Sequence, residues 1–388
     1  MSHMLNSQKF DQNEIFYQDP GHYRSIWDII WSCLVTIGSC TWLALHLNIR
    51  KQGKGTLWKL GRHVVAFFVA LIAPEVIIEI AWCQWIIAKK IANDYKDHNW
   101  TVTHGFFANM GGFAVQGDER YYLLKPKDLR AYLDRGEINL TEEQVQDRSK
   151  GDMFTKGFVV LQTTWFIIQV LTRAAAHLPI TELEVSTLGF AILNGITYAL
   201  WWNKPLDVQC PIILKEITAL PSKGADGSTK QVNSEADQVS GAEDHPAKKH
   251  GLAQSGDREG SPRTRVTTIS FLAQGVDTRT YSTAGYTLVI GMIFGGIHCL
   301  AWLSDFPTTT EELIWKVASI TTAALPALLF IVWIINGTQN LLGVTLSIAL
   351  VPYIIARLLL LVLIFTTLRS LPPNAYVIAH WATFIPHI

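Results

Sequence analysis

The chain has 388 residues, of which 49% are hydrophobic and only 16% are charged, whereas an ordinary soluble domain has about 25% charged residues. Lysine plus arginine and aspartate plus glutamate balance at 32 each, so the net charge favours neither a nucleic-acid partner nor an acidic solvating tail. The composition therefore excludes most soluble classes and indicates a membrane protein.

Seven apolar runs are long enough to cross a hydrocarbon core of about 30 Å, which takes roughly 20 residues of helix. They cover residues 26–47, 63–88, 157–177, 185–202, 285–303, 313–335 and 341–368. Only a helix satisfies its own backbone in lipid, and the rest of the sequence has no alternating strand pattern. The sequence predicts an all-α, polytopic membrane helix bundle with seven to eight transmembrane helices.

The charge pattern divides the chain into six segments. They are an N-terminal tail (1–25), two membrane helices with a short third or re-entrant segment (26–115), an amphipathic surface segment (116–156), membrane helices and their exit (157–220), a mostly disordered linker (221–284), and the last membrane helices with a C-terminal tail (285–388). The linker is expected to be disordered because residues 221–270 contain no aromatic side chain and little to bury.

The segment 100–115 leaves two topologies open, because it is short for a span and also suits a re-entrant piece. Positive residues crowd the loops 50–59, 148–156 and 204–215. All three loops face the cytoplasm if 100–115 crosses as an eighth span. Without that crossing, the charge count favours a cytoplasmic N-terminus and the first loop is the exception. We favour eight crossings.

Two pairs of residues have the spacing of a helix capping box. Thr141 and Gln144 have it in the surface segment, and Thr181 and Glu184 have it before the fourth apolar run. The pattern predicts a helix start at each place and a structural role for Glu184.

Charged residues inside apolar runs are the strongest functional signals in a membrane sequence. Glu75, Glu79 and Arg357 are predicted to lie near mid-depth, and the two glutamates share one helix face with Trp82. Two carboxylates so close in a low-dielectric site repel, so at least one keeps its proton and could serve as an acid. The structural alternative is an intramembrane ion pair between one glutamate and Arg357.

Polar and aromatic residues elsewhere complete the candidate site. His104 is either a proton relay or a structural histidine, and Asn194 needs a partner from another helix or a ligand. Trp82, Trp165 and Tyr198 either line a cavity that stabilises a cation through their π faces or belong to the core.

Several stretches together resemble a widespread set of fungal multi-pass membrane proteins, and through them the membrane-bound terpene cyclases of meroterpenoid pathways, of the ascofuranone and macrophorin type. They include WSCLVTIGSCTW, ALIAPEVII, THGFFANMGGF, DRSKGD, HLPITELEVSTLGFAILN, WWNKPLDV and LPPNAYVIAHWATFIPHI. The resemblance covers nearly the whole chain outside residues 221–270 and transfers no individual catalytic residue. It implies cyclisation of a farnesylated aromatic compound or its terminal epoxide, begun by protonation.

The sequence and this resemblance together give a functional hypothesis. The catalytic residues would be Glu75, Glu79 and His104, and the substrate would be bound by a second set: Trp82, Trp165, Asn194, Tyr198 and Arg357. We expect no metal and no cofactor, a lipophilic substrate, the lipid bilayer as surroundings, no nucleic acid, and the endoplasmic reticulum membrane as location. A proton-coupled transporter and a non-catalytic membrane scaffold are the alternatives, and the oligomeric state stays open.

Overall fold

The computed structural model describes residues 23–49, 55–116, 121–149, 153–216, 284–336 and 339–378. Most of the predicted N-terminal tail, nearly all of the predicted linker and the last ten residues lie outside these ranges.

The described residues fold mainly into helices, which are, in chain order, α1 (Ile26–Ala44), α2 (Thr56–Ile72), α3 (Pro74–Asp94), α4 (Val102–Asn109), α5 (Arg130–Asp134), α6 (Glu142–Gln146), α7 (Met153–Ala175), α8 (Glu182–Leu200), α9 (Ala284–Cys299), α10 (Thr309–Asn336) and α11 (Gln339–Thr366). Six of them, α1 and α7 to α11, are long and apolar enough to cross a membrane. The predicted polytopic helix bundle is confirmed, and these six helices coincide with six of the seven apolar runs.

The remaining run, 63–88, is not one straight span. It divides into α2 and α3, whose axes are bent by 113°. Pro74 favours a break here, because it has no N–H to donate and keeps the residue before it out of the helical region. Ala73 accordingly has φ −140° and ψ 69°, and Pro74 becomes the first residue of α3.

The start of α2 and the middle of α3 both lie at the end of the bundle where α8 ends. Lys59, in the first turn of α2, forms an ion pair of 2.6 Å with Asp207. Gln84 of α3 accepts hydrogen bonds from Trp201 and Lys204. The break itself contacts Tyr353, at the middle of the 28-residue α11. The pair is therefore re-entrant: it descends to about the middle of the bundle and returns to the same face.

The segment 100–115 does not cross the membrane, so the eight-span topology is wrong. The only helix within it, α4, has 8 residues and a length of about 12 Å. Gly105 brings α4 against α3, since a Cβ there would lie 2.1 Å from the carbonyl oxygen of Ala88. The described parts of the three positive loops nevertheless share one face. The re-entrant pair adds no crossing between the first loop and the second, and α7 and α8 together return the chain to the same face before the third.

A small cap lies beside α4 on this face. Its sheet has the strand order β2-β1-β3, with β1 (Phe113–Gln116) antiparallel to β2 (Tyr121–Leu123) and parallel to β3 (Ile212–Leu214). Both predicted capping boxes form, at Thr141 with Gln144 and at Thr181 with Glu184. Arg24 also binds both carboxylate oxygens of Glu184, which confirms its structural role.

A buried lysine joins the cap to the bundle. The Nζ of Lys204 donates to the carbonyl of His46, to Asn48 Oδ1 at 2.9 Å and to Gln84 Oε1 at 2.8 Å. Burial, with a smaller contribution from the Arg62 guanidinium, lowers the pKa of Lys204 below its usual range. The three acceptors limit that effect, because they favour the charged form.

Candidate functional site

Glu75 lies in the first turn of α3, directly after the helix break. Its side chain is buried, with 6% exposed. Oε1 accepts a hydrogen bond of 2.8 Å from the Tyr353 hydroxyl on α11. Oε2 is buried and has no hydrogen-bond partner among the described residues. Tyr353 therefore fixes one carboxyl oxygen, and the other is left without a hydrogen bond from any described residue.

Arg357 holds the other side of the break and lies one turn after Tyr353 on α11. Its Nε donates a 2.8 Å hydrogen bond to the carbonyl of Ile72, one of the carbonyls that the end of α2 leaves without a helical partner. The guanidinium carbon lies 4.0 Å from the ring centroid of Phe294. Nη2 is buried without a partner among the described residues, so the structural alternative of an ion pair between one glutamate and Arg357 is not formed through Glu75 Oε2 and Arg357 Nη2.

A small cavity of about 10 Å³ adjoins Arg357, and two further polar residues, Ser186 and His298, line it together with Phe190 and aliphatic side chains of α11. The Oγ of Ser186 is buried without a partner within the described part of the chain. His298 donates from Nδ1 to the carbonyl of Phe294 at 2.9 Å. A space of this size with several polar neighbours fits one water molecule.

The predicted face of α3 forms as expected and points towards α9 and α11. Glu79 is half-buried one turn after Glu75, and Trp82 is half-buried one turn further on. The Trp82 ring lies 5.4 Å from that of Trp85 and 5.2 Å from that of Tyr286 on α9. Its Nε1 is buried without a hydrogen-bond partner in the described ranges. Glu75 and Trp82 thus each present one unsatisfied polar atom on the same helix face.

His104 lies far from Glu75 and has a structural environment. Its Nδ1 accepts from the backbone N–H of Thr101, and its Nε2 lies 2.9 Å from the carbonyl of Leu140. The next residue, Gly105, packs on Ala88, thirteen residues beyond Glu75 on α3. This separation is about 20 Å along the helix axis. His104 therefore completes the capping box of α4 and joins this helix to the small surface cap.

The other predicted binding residues are also distributed away from the break. Asn194 donates from Nδ2 to Thr41 Oγ1 at 2.9 Å, so its partner is α1. Tyr198 lies another turn along α8, with its ring 5.7 Å from that of Trp202. Trp165 is half-buried on α7, a helix that packs on α1 and α8. Of the predicted site, the structure brings together Glu75, Glu79, Trp82 and Arg357.

Two residues of the site are absent from the sequence prediction, Tyr353 and His298. Tyr353 precedes Arg357 by four residues, a spacing that places both on one helix face and could have revealed it. His298 lies near the end of an apolar run, where a lone histidine gives little signal.

The surroundings of the Glu75 carboxyl group act on its ionisation in two opposite ways. Burial in an apolar bundle opposes ionisation of a carboxyl group. Once the proton has left, the Tyr353 hydroxyl, the Arg357 guanidinium and the positive end of the α3 dipole all stabilise the carboxylate.

A protein-family model matches residues 2–222, which is more than half of the chain. The chain therefore belongs to that family, which is described as a family of unknown function, DUF8562. No curated protein and no solved structure matches the sequence.

Proposed function

We propose that this member of the DUF8562 family is a membrane-bound terpene cyclase, with Glu75 as the acid that starts the reaction. The observation that carries the proposal is the buried Oε2 of Glu75, which has no partner among the described residues although an arginine and a tyrosine hold the same site. An unsatisfied buried polar atom needs an explanation, and a substrate oxygen or double bond would supply it.

The chemical step is a proton transfer from the Glu75 carboxyl group. The proton goes to the epoxide oxygen of a farnesylated aromatic compound, or to the terminal carbon–carbon double bond. A carbon–oxygen bond of the protonated epoxide breaks and leaves a hydroxyl group and a carbon cation, whereas protonation of the double bond gives the cation directly. The next double bond attacks this cation, and loss of a proton from the cyclised cation to the Glu75 carboxylate ends the reaction and restores the acid. Phe294 and Trp82 supply π faces near this path. No cofactor or metal is needed in this scheme.

The substrate would lie along the face of α3 between α9 and α11. The cavity beside Arg357 holds about 10 Å³, which is far too small for a farnesyl chain. Entry therefore requires α11 to separate from the break, at the contacts that Tyr353 and Arg357 make. A prenylated substrate partitions into the bilayer and would reach this opening from lipid. We place the protein in the endoplasmic reticulum membrane, as the resemblance to fungal cyclases implies.

The test is cyclisation of a farnesylated phenol epoxide by membranes that contain the full chain. Glu75→Gln keeps the shape and the hydrogen bond to Tyr353 but removes the acid, so product should fall by about 10²–10⁴ while expression is unchanged. Glu79→Gln tests the second predicted carboxylate on the same helix face: a smaller loss than in Glu75→Gln is expected if Glu75 is the acid, and an equal or larger loss would assign that role to Glu79. Full turnover by a well-expressed Glu75→Gln variant would remove Glu75 as the acid.

A proton-coupled transporter is the second candidate, and the helix break favours it. Interrupted helices with charged residues at the break are typical of secondary transporters, which bind ions and substrates near mid-membrane. Such a protein should move protons into vesicles together with a solute. Proton uptake by proteoliposomes, lost in Glu75→Gln, would favour transport, whereas cyclised product without proton movement would favour the enzyme.

A further inference from the structure

A large amphipathic cavity opens on the positive face of the bundle, well apart from Glu75. Its volume is about 470 Å³, within the range of roughly 300–1,000 Å³ that is typical of ligand sites. It lies where three elements leave the apolar region: the end of α1 and its following segment, the first turns of α2, and the segment 206–209 after α8.

The lining of this cavity combines apolar and charged side chains. Its apolar part, called here the apolar wall, includes Trp42, Leu45 and Val208. Lys59 and Arg62 provide two positive charges, and Asp207 provides one negative charge, so the charged lining has an excess of one positive charge. Arg62 is only 9% exposed and donates from Nη2 to the carbonyl of Asn48 at 3.1 Å, which fixes its position in the wall.

The surroundings of the cavity indicate a lipid environment. Leu57 and Leu60, on the first turns of α2, are 86% and 51% exposed, which suits contact with lipid. The bonds of Ser149 to Leu206 and of Lys59 to Asp207 bring the positive loops to this same face. Positive loops mark the cytoplasmic side, and the cytoplasmic leaflet carries the anionic lipids.

We infer that this cavity binds the headgroup of an anionic phospholipid, with the phosphate beside Arg62 and Lys59 and the acyl chains along the apolar wall. Asp207 opposes binding, because its carboxylate pairs with Lys59 and repels the phosphate. The inference is independent of the reaction proposed for Glu75.

The test measures lipid affinity of the purified full chain by native mass spectrometry. Dioctanoyl phosphatidylserine should bind more tightly than dioctanoyl phosphatidylcholine. Lys59→Gln should weaken phosphatidylserine binding about fivefold, which corresponds to one basic residue at a membrane surface. Asp207→Asn should strengthen it by a similar factor, a gain that unfolding cannot produce.

Lys90→Gln is the matched control, since Lys90 is an exposed cation on α3 outside the cavity, and it should leave the affinity unchanged. Equal effects of Lys90→Gln and Lys59→Gln would mean diffuse charge attraction and would overturn the site. Equal affinity for the two lipids would overturn it as well. Competition by inorganic phosphate as effective as that by phosphatidylserine would assign the site to a free anion and reject the lipid.

Discussion

The Oε2 of Glu75 and the Nη2 of Arg357 are both buried without a hydrogen-bond partner in the described chain, although the two side chains hold the same helix break. An arginine and a glutamate at one buried site usually form a direct pair. Here each group is instead anchored elsewhere, Glu75 by Tyr353 and Arg357 by the carbonyl of Ile72. Two buried, unsatisfied atoms of complementary character need an explanation, and the lack of a hydrogen bond between them argues against a purely structural ion pair.

The charge state of Glu75 at rest can be tested by a double-mutant cycle with Glu75→Gln and Arg357→Met. An acid that keeps its proton has little charge for Arg357 to stabilise, so we expect a coupling free energy below about 1 kcal/mol. An ionised buried pair would give roughly 1.5–7 kcal/mol. The measurement is the thermal unfolding of the four proteins in detergent. A coupling of several kcal/mol would show that Glu75 is ionised at rest and support the ion-pair alternative.

Local sequence patterns were sufficient for much of the fold. Six spans follow from apolar length, and both capping boxes follow from a spacing of three residues. These features depend on neighbours in the chain, so a single sequence contains them. The face of α3 that carries Glu75 and Trp82 follows from helix periodicity in the same way.

The re-entrant break could not be predicted, because prolines with similar apolar surroundings behave differently. Pro326 and Pro352 lie inside α10 and α11, which continue through them, whereas Pro74 ends one helix and begins another. The difference comes from tertiary contacts, since Arg357 binds the freed carbonyl of Ile72 and Tyr353 binds Glu75. Such contacts join residues about 280 positions apart, so they cannot be predicted from the hydropathy pattern of the sequence.

The topology makes a direct prediction for accessibility reporters. A reporter in the loop 50–54 and one beside Arg130 should both be accessible from the cytoplasm, because the re-entrant pair adds no crossing between them. A third reporter beside His177 should be accessible from the opposite side, since α7 crosses in between. The measurement is cysteine labelling in intact and permeabilised vesicles. Opposite results for the first two positions would mean that α2 and α3 form a full span.

Neighbouring glycines on α9 should differ sharply in their tolerance of alanine. A Cβ on Gly295 would lie 2.4 Å from the backbone nitrogen of Ala323 on α10, whereas a Cβ on Gly296 meets nothing within 4 Å. Gly295→Ala should therefore destabilise the protein by about 1–3 kcal/mol through overpacking. Gly296→Ala should be neutral or slightly stabilising, because alanine favours the helix. Thermal unfolding of the two variants compares them directly, and equal midpoints would contradict the close approach of α9 and α10.

Lys204→Met should be among the most destabilising changes at the cap, because it removes the donor that three acceptors share. A hydrogen bond from a charged group contributes about 1.5–3 kcal/mol, so a loss of roughly 3 kcal/mol or more is expected. The measurement is the midpoint of thermal unfolding. The control is Lys90→Met on the exposed surface of α3, which should change this midpoint little.

The same variant tests the pKa of Lys204 through the pH dependence of stability. Burial lowers the pKa of Lys204 in the folded protein, so the unfolded chain binds more protons between that pKa and the ordinary value of about 10.4. The contribution of Lys204 to stability therefore rises as the pH rises towards 10.4 and falls as the pH decreases. Relative to Lys204→Met, the unfolding midpoint of the unmodified protein should climb as the pH rises towards about 10. Parallel midpoint curves for the two proteins would mean that the three acceptors fully offset the effect of burial and that the folded pKa is unshifted.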